Sequence, residues 1–186
     1  MKITKVDVIL MNMRPADNPG WAPILCRVYT DAGIYGDGEA ALAYGNAHRA
    51  AFGMLQDFSK SVLGMDPLDN EVIWEKLYKS SFWGQNGGPV VFSAISAIDT
   101  ALWDIKGKMA NMPVYDLFGG KMRAGVPVYR HVDGANVDEI CENIEKYRSI
   151  GVKHIRCQCG GYGGGGFGPA PEWAAKGPEP GVYLDS

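Results

Sequence analysis

The chain has 186 residues, a formal net charge of −3, 46% hydrophobic residues and 21% charged ones, which excludes a disordered or fibrous protein and fits a globular one. No Lys/Arg-rich block occurs, so the electrostatic footprint of a nucleic-acid or anionic-membrane binder is missing, and neither is expected as a partner. The opening MKITKVDVIL interleaves charge with aliphatics and no run reaches the ~18 apolar residues of a membrane helix, so the expected location is cytoplasmic.

In chain order, Val6, Val8 and Leu10 alternate, and Ile24, Cys26 and Val28 oppose Arg27 and Tyr29. Period two of this kind marks half-buried strands. A loop rich in Pro and Gly, MNMRPADNPGW (11–21), lies between them, Asp31-Ala32-Gly33 is a turn, and residues 34–40 close an antiparallel meander. Helices follow. Apolar residues at 47, 50, 51, 54, 55, 58, 62 and 63 keep a 3.6-residue period up to Gly64, and Asp66-Pro67 with Asp69 opens a second helix. WGQNGGP (83–89) interrupts, and a third helix spans about residues 90–109, its stripe of Val91, Ala94, Ile95, Ile98, Leu102 and Ile105 turned to a core.

The pattern then changes. Residues 126–130 read as a strand, 137–149 as an amphipathic helix with Ile140, Ile144 and Tyr147 inward, Gly151 as its cap, and 152–157 as a second strand. That is one β-α-β unit, the building block of parallel sheets whose active sites sit at the strand ends. Domains are expected at 1–125 and 126–186. Four cysteines, Cys26, Cys141, Cys157 and Cys159, fit ordinary reduced usage, and Cys157-x-Cys159 lacks the spacing of a zinc knuckle or a redox pair. Nine of the 25 glycines fall in residues 160–186 without any hydrophobic period, and a segment of that kind usually forms a functional loop or a linker.

The run AISAIDTALWDIKGK (94–108) followed by PVYDLFGG (113–120) resembles the signature helix and turn of the mandelate racemase/muconate lactonizing branch of the enolase superfamily. LGMDP (63–67), IWEKLY (73–78) and VYRHVDG (128–134) agree in order and spacing. Within that branch FWGQNGG, HVDG and HIRCQ look most like the mannonate/gluconate group of acid-sugar dehydratases. The resemblance implies an α+β capping domain, an antiparallel meander plus helices, followed by the first β-α-β elements of a TIM-like (β/α)7β barrel. It implies loss of the proton next to a substrate carboxylate and then of water, giving a 2-keto-3-deoxy sugar acid. It also implies a sugar acid as small-molecule partner, a homo-oligomer, and Mg²⁺ held by three acidic residues of the third to fifth barrel strands, downstream of residue 186. Such metal coordination stabilises an enediolate.

Carried over residue by residue, Arg156 matches an arginine that pairs with a loop tyrosine as the base, for which Tyr162 is the candidate here, after a shorter interval than in the family. Proximity of a guanidinium favours the ionised phenol. His131 matches a substrate-contacting histidine at the end of the first barrel strand. Arg14, Trp21 and Trp83 lie in the capping loops that set specificity in this family, and Ala43 stands where mannonate-specific members carry asparagine. Asp99 and Asp104 are five apart on one helix, far apart around it, and are expected to be structural. Gly160 to Gly168 lacks the Lys-Ser/Thr and the helix start of a phosphate cradle.

A complete barrel takes about 250 residues, so the expectation is the N-terminal half of such an enzyme, inactive as a segment and poorly soluble alone. Two alternatives stand beside the dehydratase: a non-catalytic sugar-acid-binding or regulatory protein, and a racemase or cycloisomerase. The latter generally carry Lys-x-Lys where this chain has Arg156-Cys157-Gln158.

Overall fold

The computed structural model describes residues 1–11, 22–44 and 47–157, with Trp83 described in its backbone alone. Two compact units separate, Met1–Met122 and one that begins at Arg123.

In the first unit, β1 (Ile3–Leu10), β2 (Ile24–Thr30) and β3 (Tyr35–Ala40) form an antiparallel sheet in the order β1-β2-β3. The register Val6↔Val28, Val8↔Cys26 and Leu10↔Ile24 lines up the apolar members of the alternation on one face. Arg27, Asp37, Tyr29 and Tyr35 stand on the other, where the Arg27 guanidinium donates to both Asp37 carboxylate oxygens at 2.6 and 3.0 Å. The apolar face receives α1 (His48–Ser61) and α3 (Pro89–Ala110), and α2 (Asn70–Ser80) packs against α3. WGQN (83–86) of the expected interruption is a single 3₁₀ turn, and Pro89 occupies the first turn of α3, where its missing N–H is not needed.

The stripe expected on α3 is buried in full, together with Ala97 and Ala101. Those two alanines explain GDG in β3. A Cβ built on Gly36 would lie 2.0 Å from the Ala101 carbonyl oxygen, and one on Gly38 2.0 Å from that of Ala97. Strand and helix backbones therefore touch, a spacing that only glycine permits. The signature helix also covers the sheet edge. Asp104 accepts the outward N–H of Asp37 at 2.9 Å, and Lys108 donates to the Tyr35 carbonyl and to Asp104, both at 2.7 Å. One i,i+4 pair thus occupies backbone groups of β3 that an edge strand would otherwise leave open. The helix ends with Asn111 in the left-handed region, and Met112 N–H returns to the Gly107 carbonyl, a Schellman closure. A short α4 (Val114–Leu117) follows.

In the second unit, β4 (Tyr129–Val132) and β5 (His154–Cys157) pair in parallel, joined by α5 (Val137–Ser149). The first strand lies later than the expected 126–130, because pairing begins only where His154 faces Tyr129. The helix limits match the expectation. Asn136 accepts the Glu139 N–H while Glu139 accepts the Ala135 N–H, and at the far end Gly151, at φ +90°, lets Val152 N–H reach the Tyr147 carbonyl. Among the described residues no helix is long and apolar enough to cross a membrane.

Candidate active site

Side chains of successive strand residues alternate between faces. Among the described residues of the second unit, Val132 and Ile140 of α5 are the buried apolar ones and Ile155 is half-buried. Gly134, just after β4, allows the start of α5 to lie close, since a Cβ there would sit 2.9 Å from the Ile140 backbone nitrogen. Asn143 of α5 ties the same turn by donating to the Asp133 carbonyl at 3.0 Å. The opposite face carries Tyr129, His131, His154 and Arg156, all exposed.

His131 and Arg156, chosen on separate grounds in the sequence, are register partners: His131↔Arg156 follows Tyr129↔His154 along the parallel pair. Each is the penultimate residue of its strand. In parallel α/β sheets this carboxyl end is where substrates are met. The pair offers an imidazole beside a planar, positively charged fork of N–H donors suited to a carboxylate. Tyr129 stacks against His131, with ring centroids 5.1 Å apart and 29° between planes. Tyr129 and His154 were missed in the sequence reading, although period two from His131 and Arg156 points to both. A cavity of about 240 Å³, lined by His131, Val132, Asp133, Asn143, Lys146 and Tyr147, opens beside the end of β4.

The other expected site residues are distributed differently. Arg14, Trp21 and Tyr162 lie outside the described residues, as do Cys159 and the glycine-rich run, and the side chain of Trp83 does too; its backbone opens the 3₁₀ turn. Ala43 is buried, and its carbonyl accepts the Ala22 N–H at 2.8 Å, so this position offers no polar side chain. Asp99 and Asp104 do not converge. Asp104 serves the β3 edge, while burial pushes the Asp99 carboxyl up, against the opposing pull of Asn70 and Trp103. The Asn70 amide, itself buried, forms no hydrogen bond of regular geometry. Burial pushes the Cys26 thiol up to about 12, which makes it an inert core group. Cys141 and Cys157 are free and exposed. Among the described residues no three His, Cys, Asp or Glu side chains come together to hold a metal ion.

Residues 21–119 match the family model of the mandelate racemase/muconate lactonizing enzyme N-terminal domain. The chain is 42% identical over 161 residues to a D-galactonate dehydratase family member from Oceanicola granulosus, covering 86% of this chain and 37% of that protein. It is 39% identical over 160 residues to a D-mannonate dehydratase from Novosphingobium aromaticivorans, covering 86% and 38%. The chain therefore spans well under half the length of these relatives. Among solved structures, an enolase from Pantoea ananatis with bound D-gluconate and Mg is 37% identical, with a TM-score of 0.76 over 87% of this chain and 37% of that one. An enolase superfamily member from Salmonella Typhimurium is 46% identical, with a TM-score of 0.64 over 70% and 32%.

Proposed function

The chain belongs to the mandelate racemase/muconate lactonizing enzyme family, and on that footing we propose that it supplies the capping domain and the first two barrel strands of an acid-sugar dehydratase. The observation that carries the proposal is the in-register pair His131 and Arg156 at the carboxyl end of a parallel strand pair. The dehydratase relatives and the gluconate-bound structure supply the chemical class.

In this reading the reaction breaks the C–H bond next to the substrate carboxylate. The electron pair passes through an enediolate, the neighbouring hydroxyl leaves as water, and the enol product tautomerises to a 2-keto-3-deoxy acid. Arg156 is assigned to the proton-abstracting group together with Tyr162. Its positive charge favours the tyrosinate, which then takes the proton. His131 is assigned to a substrate hydroxyl or carboxylate oxygen, which fixes the sugar acid against the base. Ala43 removes the polar contact that mannonate-specific members have at this position, so a sugar acid other than mannonate is the proposed substrate. Arg14, Trp21 and Trp83 are assigned to the rim that selects it. Mg²⁺ belongs to the proposal on the strength of the Pantoea relative; no acidic trio converges among the described residues, and its ligands are proposed to lie on the third to fifth barrel strands.

The test is a screen of the complete gene product with Mg²⁺ against C5 and C6 sugar acids, scored for 2-keto-3-deoxy acids, with a chelator control. Turnover of at least one acid, abolished by the chelator, supports the reading. Binding of an acid without turnover would replace it with a sensor, and interconversion of epimers would replace it with a racemase.

A further inference from the structure

Strand geometry sets side chains two residues apart about 6.6–6.8 Å from one another along a face. The Tyr129 and His131 rings lie at 5.1 Å with 29° between their planes, so they lean together rather than standing apart. Stacked aromatic pairs are worth more than their shared area, and the contact removes rotamer freedom from the histidine. His131 stands on the face of β4 opposite buried Val132, and both it and Arg156 are exposed. Below the His131↔Arg156 row, the next row on the same face is Tyr129↔His154, which makes Tyr129 the same-strand, same-face neighbour of the imidazole.

We propose that Tyr129 is a positioning residue for sugar-acid recognition: its ring face holds the His131 imidazole in one orientation at the strand end. This rests on the reading of His131 as a substrate contact. A polar group that is already oriented loses less freedom when a ligand arrives, and one that contacts ground state and transition state alike acts on KM more than on kcat. The relevant feature of Tyr129 is its ring, so phenylalanine should replace it and leucine should not.

Two measurements test this. In the full chain, with its three histidines isotopically labelled and His131 assigned through a His131→Asn variant, the His131 ring protons should resonate upfield in the wild type and in Tyr129→Phe, and move downfield in Tyr129→Leu. In the complete gene product, Tyr129→Leu should raise KM for the accepted sugar acid by about two- to tenfold with kcat within about twofold, and Tyr129→Phe should behave as wild type. An unchanged His131 resonance in Tyr129→Leu overturns the proposal. So does a Tyr129→Phe variant as impaired as Tyr129→Leu, or a KM unmoved by Tyr129→Leu when His131→Asn raises it. If no sugar acid is turned over, the proposed function falls, and the resonance comparison by itself then supports or overturns the stacking.

Discussion

The sheet-and-helix unit that ends at Met122 and the β4-α5-β5 unit use the same alphabet of strands and amphipathic helices to different ends. In the first, nearly every apolar stripe finds its complement: Val6, Val8 and Leu10 align with Val28, Cys26 and Ile24, and α3 lies on β3 at backbone contact. In the second, only Val132 and Ile140 are buried apolar residues among those described, and Val126, Val128, Tyr129 and Ile150 are exposed. The open strand face there bears tyrosine, arginine and two histidines. Burial therefore accounts for the apolar stripes of the first unit's sheet and of α3, and does not account for the open strand face of the second. On that open face stand His131 and Arg156, the residues that the proposed function assigns to the sugar acid.

The sharpest way to break this contrast is to put a side chain where the first unit has none. Gly38→Leu should abolish the folded first unit, because its Cβ would collide with backbone 2.0 Å away. Loss of the cooperative melting transition would show it, and a variant melting near wild type would refute the close packing. The next effect is smaller. Leu102→Ala, at a fully buried position, should cost about 3 kcal/mol, whereas Val128→Ala, at an exposed one, should stay within about 0.5 kcal/mol. Chemical denaturation of both variants compares the units directly.

The smallest effects are electrostatic and opposite in sign. The Arg27 guanidinium holds the Asp37 carboxyl below the usual carboxylate range. Its contribution to stability is therefore present above the unfolded value of about 3.9 and is lost as pH falls through the lower folded value. Burial holds Asp99 above that range, so its charge disfavours the folded state at neutral pH. Asp37→Asn should lower the melting temperature slightly at pH 7, and Asp99→Asn should raise it slightly. Both differences should shrink towards pH 3, and a pH series of melting curves reads both.

Much of this was legible beforehand because it is local. The limits of α5 follow from Asn136, Glu139 and Gly151, and the buried stripe of α3 follows from a 3.6-residue period. What escaped depends on partners. Gly36 and Gly38 have meaning only once α3 lies across β3, and the start of β4 is set by where β5 begins to pair. His48 and Asn70 are polar residues in buried positions, which no periodicity announces. At the site, His131 and Arg156 were each identified by motif, but their adjacency is a matter of register. Tyr129 shares His131's face through strand alternation, a relation that a motif match at single positions does not use.

Replacing Arg156 in the complete gene product tests most directly the proposal that the strand-end pair serves an acid-sugar dehydratase, Arg156 by favouring the tyrosinate base and His131 by holding the substrate. With Mg²⁺ and the sugar acid that the wild type accepts, Arg156→Met should lower kcat/KM for formation of the 2-keto-3-deoxy acid by about 10³-fold, the usual weight of the proton transfer that its charge supports, while leaving the melting temperature unchanged, the position being exposed. A variant that folds normally and dehydrates the same acid at the wild-type rate would contradict the claim.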